Sequence, residues 1–279
     1  MLAALFLFFP SVSFCDPIQL TEWDDLSDKK ISADGQAALQ IKGEIWKHAE
    51  TEHFIYHFRD EKQAQTVTEH AEAYYQWVKQ MFGVESDDWP TKSQVYIFED
   101  KNVWREFNKR AGERLPGAEA YTDGTDLFIY RESFFLSPQK TLAHEITHIV
   151  AYRFIRGTLP LFLNEGFAEF MSYKAVALQA DGNDYAHRTV KMIEGDDFIA
   201  LGELCTMRSY PANEAIFYRE NELLVRYLIL TYGKEKFYDL LRRSASGESF
   251  QDSLNSIYSM DLETFEATFR AYAVISHPS

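Results

Sequence analysis

His144-Glu145-Ile146-Thr147-His148 constrains this chain more than any other stretch, because it sets two imidazoles on one helical face and leaves them in need of a third partner. Residues four apart on an α-helix share a side, so His144 and His148 can aim at one point. Two neutral imidazoles suit zinc. Glu145 lies about 100° around the helix from His144. That offset keeps it out of the imidazole pair, yet lets it reach an activated water and take its proton. The bland alternative is an amphipathic helix with two surface histidines.

A catalytic zinc takes three protein ligands and keeps one position open. Glu165 follows His148 by 17 residues, within LFLNEGFAEF (Leu161 to Phe170), beyond the tight connection Arg156-Gly157-Thr158-Leu159-Pro160. A helix, a turn and an antiparallel return bring Glu165 back beside the imidazoles. Gly166, lacking a side chain, permits these two helices to approach each other closely there. Glu169 sits one turn further on the same face. It is placed to accept the outer N–H of a ligand histidine, His144, and so fix the tautomer that binds zinc. The expected cofactor is a single Zn2+ per chain. The alternative, two glutamates on a solvated surface, fits poorly with the flanking Leu161, Phe162, Leu163 and Phe167.

The rest of the chain reads as strands and helices followed mostly by helices, an α+β arrangement. Residues 1–15 read as a secretory signal, 16–50 as a polar segment without periodicity, 51–136 as an α/β lobe and 137–275 as a helical lobe carrying the metal motif. Strands are expected at His53–Phe58, Gln94–Phe98, Ala118–Tyr121 and Leu127–Tyr130, with a turn at Thr122-Asp123-Gly124-Thr125. Helices are expected over 61–82, 103–110, Ser137–Ile155 and from about 160–164 to 179, then over 186–194, 213–232, 234–244, 249–258 and 261–273.

Composition narrows the partners. The formal net charge of −15 argues against nucleic acid and against docking on an anionic membrane. Leu2 to Phe9 is an apolar run too short to span a bilayer and of the length of a signal core, so the chain is expected to be exported, periplasmic or extracellular, with no stable span after signal removal. A buried N-terminal strand is the other reading of that run. Lipid anchoring through Cys15 is disfavoured by Phe14. Signal removal would leave Cys205 as the one thiol, without a nucleophile signature around it. No G-x-S-x-G elbow, phosphate-binding glycine loop or EF-hand loop is present.

HEITH followed by NEGFAE resembles the gluzincin metallopeptidases, and in particular the peptidase MA-like domain family. The resemblance runs from about His53 to Tyr272, through EHFIYHF, QVYIFED, GAEAY, TLAHEITHIV, LPLFLNEGFAEF, FYRENELLVRYLILTYGKEKF and SFQDSLNSIYSMDLETFEATF. It implies a two-lobed zincin-like fold, with a mixed-sheet N-terminal lobe, a helical C-terminal lobe and the metal helix at their junction. By it His144, His148 and Glu165 are the zinc ligands, Glu145 the general base and Glu169 the support of a ligand. The interval from His148 to Glu165 is two residues shorter than in aminopeptidase N-like enzymes, which favours the MA-like group.

The resemblance also implies that an extended peptide pairs with an edge strand at Gly117-Ala118-Glu119-Ala120-Tyr121. Glu119 is offset by one position from the glutamate that captures a free amine in aminopeptidases. A one-residue shift turns a side chain to the other face, so aminopeptidase activity is not inferred and Glu119 reads as surface. Tyr218, in Phe217-Tyr218-Arg219-Glu220, resembles the catalytic tyrosine of related gluzincins in its place after the NEG helix and is the candidate oxyanion donor. With 16 tyrosines in the chain a packing role stays open for it, and His187 is the alternative donor. The expected activity is zinc-dependent hydrolysis of peptide bonds in a peptide or protein substrate. Two alternatives remain: a catalytically weak zincin-fold binding or structural protein of the cell envelope, and a metal hydrolase acting on another bond.

Overall fold

The structure, a computed structural model, describes residues 18–41, 43, 45–84, 91–112, 119–130, 138–155, 157–179 and 198–275. The N-terminal apolar run with Cys15, the expected cap Ser137, the 186–194 helix with His187, and Gly117 and Ala118 of the expected substrate strand lie outside these residues. The chain divides into two compact units: residues 1–79 with 86–138, and residues 80–85 with 139–279.

Among the described residues the first unit is built on five strands: β1 (Lys47–Glu50), β2 (Phe54–Phe58), β3 (Ser93–Phe98), β4 (Ala120–Asp123) and β5 (Asp126–Tyr130). They form one mixed sheet in the order β1-β2-β3-β5-β4. β2 pairs with β3 and β3 with β5 in parallel, while β1 and β4 add antiparallel edges. All residues of β2, β3 and β5 are buried, which is why FIYHF, SQVYIF and DLFIY read as continuous runs rather than alternating ones. Each parallel step needs a crossover. The helices Glu61–Met81 and Lys101–Arg110 lie in those two connections. Asp100 caps the second, its carboxylate accepting from the Asn102 and Val103 amides at 2.7 and 3.1 Å. Asp123 pairs with Asp126, so the β4–β5 loop is Gly124-Thr125, and Gly124 takes the positive φ of 63° that a primed hairpin turn requires.

The stretch 16–50, read above as without periodicity, contains the helix Ala33–Leu39 and edge strand β1. A seven-residue helix holding Gly35 is too short to show a period. Gly35 is needed because a Cβ there would run into the Tyr96 hydroxyl. Ala38 and Ile41 join an aromatic core with Tyr96, Phe98, Trp104, Phe107, Tyr121 and Phe128. Tyr96 stacks on Phe128 at 4.8 Å, and Phe128 on Phe107 at 4.9 Å. His57 is a structural histidine, between His48 and Gln94 at 2.8 Å each, and burial holds it down to about 3, so its ring is neutral.

The second unit is helical. Its main elements are Pro138–Phe154, Leu161–Gln179, Glu214–Tyr232, Lys234–Ala245 and Leu262–Ile275, with a single turn at Leu201–Leu204. The expected 249–258 helix is a short α-turn, Phe250–Ser253, continuing into a π-turn, Leu254–Tyr258. Glu214–Tyr232 packs along Leu161–Gln179 and is buried around much of its circumference, at Phe217, Leu224, Val225 and Leu228 but also at Arg219, Glu220, Asn221 and Glu222. The close approach at Gly166 is made to this helix and not, as expected from the sequence, to the Pro138–Phe154 helix: a Cβ on Gly166 would stand 2.5 Å from the Asn221 carbonyl oxygen. Phe162 packs edge-on to Phe250 at 5.2 Å, and Phe167 sits between Phe82 and Phe237 at 5.0 and 5.4 Å. These contacts fix the rotation of the Leu161–Gln179 helix. Among the described residues no helix is long and apolar enough to cross a membrane.

Candidate metal centre

The Pro138–Phe154 helix buries Leu142, Ala143, Ile146, Ile149 and Val150 completely or nearly so. That packing fixes which face His144 and His148 present. Their rings meet edge to face at 4.8 Å, with the two Nε2 atoms 3.1 Å apart. Glu165, in the first turns of the Leu161–Gln179 helix, sends its Oε2 to 3.4 Å from His144 Nε2 and 3.7 Å from His148 Nε2. Ligand atoms placed tetrahedrally about an ion at about 2.0–2.1 Å stand about 3.4 Å from one another. The observed triangle, 3.1, 3.4 and 3.7 Å, matches that spacing. The chemistry of the set, two imidazoles and a carboxylate, is also that of a zinc site with an open position.

Each imidazole is held from behind. Glu169 Oε1 lies 3.2 Å from His144 Nδ1, in ion-pair range but off the line of a well-aligned hydrogen bond. Lys140, one turn before His144, places its Nζ 2.8 Å from the other Glu169 oxygen and over the Tyr173 ring. His148 Nδ1 has the Asn164 side-chain oxygen at 3.3 Å. With Nδ1 engaged outward, Nε2 of each ring faces the centre.

The electrostatics favour a cation. Burial alone would raise the carboxyls, but His148, His144 and the Tyr210 hydroxyl hold Glu165 below its usual range. His144 and Lys140 outweigh burial at Glu169 and bring it to about 2. Burial would lower His144, but Glu165 and Glu169 overcome it and lift the imidazole to about 10. The cage thus holds positive charge strongly, as a proton or, once that proton leaves, as a metal ion.

Glu145 is 7% exposed, adjacent to His144, and near enough to act electrostatically on both His144 and Tyr210. Tyr218 sits on the Glu214–Tyr232 helix with its ring 6.3 Å from that of His144. It stacks on Tyr210 at 5.9 Å, and the Tyr210 hydroxyl donates to Glu165 Oε1 at 3.0 Å. Burial and the Glu165 charge push both phenols up, so they remain protonated donors. Glu119 is exposed and its carbonyl accepts from the Tyr130 amide at 2.7 Å, while Ala120 opens the edge strand β4; both belong to the first unit. Cys205 is half-buried, and burial pushes its thiol up to about 12, the reverse of an activated nucleophile.

Three neighbours escaped sequence reasoning: Lys140, Asn164 and Tyr210. Lys140 and Asn164 carry a readable signal, the first one turn ahead of His144 and the second directly before Glu165. Tyr210, in the connection ahead of the Glu214–Tyr232 helix, carries none.

Among known proteins, the model of a family described as the peptidase MA superfamily matches residues 92–275. No curated protein matches the chain. That match takes in both metal-motif helices and two thirds of the sequence, and the chain belongs to the peptidase MA superfamily.

Proposed function

We propose that this chain is a zinc-dependent peptidase of the zincin type, exported from the cytoplasm, in which His144, His148 and Glu165 hold one zinc ion. The observation that carries the reading is the triangle of Nε2, Nε2 and Oε2 atoms, spaced as ligands of a small divalent ion. When bound, the ion supplies Lewis acidity toward a carbonyl and a water. The chain's own residues do the rest. Glu145 takes the proton of the attacking water and passes it to the leaving amine. Tyr218 donates its hydroxyl to the oxyanion that develops on the scissile carbonyl. Glu169 and Asn164 keep the imidazoles in the tautomer whose Nε2 is free for the ion. An extended peptide is the substrate class. Export rests on the Leu2–Phe9 run.

A buried carboxylate next to the ligands has no use in a purely structural metal site, and this sets the peptidase reading above a binding protein. The test is digestion of a peptide library by wild type and Glu145→Gln, with zinc content measured for both. Zinc in both and cleavage by wild type alone supports the proposal. Zinc in both and cleavage by neither, across a broad library, rejects it.

A further inference from the structure

The two oxygens of Glu165 keep different company. Oε2 faces the imidazoles, while Oε1 accepts a hydrogen bond from the Tyr210 hydroxyl at 3.0 Å. We infer that Tyr210 is a positioning residue for the metal centre: by holding Oε1 it leaves Oε2 as the one carboxylate oxygen offered between His144 and His148. The inference rests on the metal-site reading above.

A carboxylate with both oxygens unoccupied can turn and chelate through the pair, filling the position that a hydrolytic site keeps open for water and substrate. A donor on one oxygen opposes that turn. Tyr210 suits the task because its ring is itself fixed, stacked on Tyr218 at 5.9 Å and edge-on to Phe217 at 5.9 Å. Its hydroxyl therefore reaches Glu165 without ordering a flexible side chain. Glu165 is 5% exposed, so water has little access to replace the bond. Outer partners of this kind commonly contribute about 10–100-fold to metal affinity.

The experiment is titration of the full chain with zinc, and separately with cobalt(II), for wild type, Tyr210→Phe and Tyr232→Phe. Tyr210→Phe keeps both ring contacts and deletes one hydroxyl. Tyr232→Phe deletes a hydroxyl that pairs with Tyr227 at the far end of the Glu214–Tyr232 helix, and a thermal melt checks that each variant folds. Expected are one ion per wild-type chain, zinc affinity in Tyr210→Phe lower by about 10–100-fold, and weaker visible cobalt bands in that variant as Glu165 closes on the ion with both oxygens. Tyr232→Phe should bind as wild type does. Equal affinity and equal bands in wild type and Tyr210→Phe overturn the assignment while leaving the metal site standing. Weaker binding with unchanged bands makes Tyr210 a packing residue and also overturns it. A wild-type chain that binds neither ion removes the metal site itself.

Discussion

Lys140 Nζ lies 2.8 Å from one oxygen of Glu169, whose other oxygen faces His144 Nδ1 at 3.2 Å. The lysine is only partly exposed and comes from the same helix as the histidine, one turn earlier. It keeps Glu169 charged and aimed at the ring. Lys140→Ala should therefore lower zinc affinity by up to about tenfold, less than loss of a direct partner of the ring. Lys140→Arg, which keeps the charge, should restore most of it. Competition with a chromophoric chelator measures both. Equal affinity in wild type and Lys140→Ala would show that Glu169 needs no help.

Gly166→Ala tests the packing beneath the site. The added methyl would stand 2.5 Å from the Asn221 carbonyl oxygen and 2.8 Å from its carbon, backbone atoms that cannot rotate away. The helices must separate, at a cost of about 1–3 kcal/mol typical of overpacking. Urea unfolding should show that loss, and zinc affinity should fall with it because Glu165 is the preceding residue. An unchanged midpoint would mean that the two helices slide apart freely.

What the sequence made legible follows from how local each signal was. The imidazole pair needs one helix, and the i, i+4 rule suffices to place it. Glu165 and Glu169 need a second helix, and the Gly157 to Pro160 connection with the apolar LFL run announced one. Tyr210 reaches Glu165 across 45 residues from an irregular connection, and no local period records such a contact. The central strands of the first unit were readable because β2, β3 and β5 are mostly aromatic and β-branched, although their parallel pairing and the burial of His57, Gln94 and Asp126 were not. The Ala33–Leu39 helix was not, because its burial depends on Tyr96 and Phe98, distant in sequence. Gly166 announced a close approach, but its partner is Asn221 on the Glu214–Tyr232 helix and not the metal-motif helix, because the contact is made far along the chain. The Glu214–Tyr232 helix is legible over 213–232, but the burial of its four polar residues Arg219 to Glu222 is not, because the helix has no clean apolar stripe to show which face is packed.

Glu220 gives the stability a pH dependence of known sign. Its carboxyl is fully buried, accepts from the Ile199 amide at 2.9 Å, and faces Arg270, Glu266 and Glu203. Burial pushes it up to about 8, from an ordinary value of 4.5. Between those values the folded chain holds a proton that the unfolded chain releases, so this group's contribution is full below 4.5 and is lost as pH rises through 8. Glu220→Gln cannot ionise. Its stability relative to wild type should therefore rise between pH 5 and pH 8.5, measured as the difference in urea midpoint at each pH. The same difference at both would contradict the buried, protonated carboxyl.

His144, His148 and Glu165 must meet around one ion, and native mass spectrometry after reconstitution with zinc tests that most directly. Wild type should carry one zinc per chain, and His148→Ala and Glu165→Ala should each lose it under the same free zinc concentration while keeping a cooperative melt. A wild-type chain without zinc, or full occupancy in His148→Ala combined with Glu165→Ala, would contradict it.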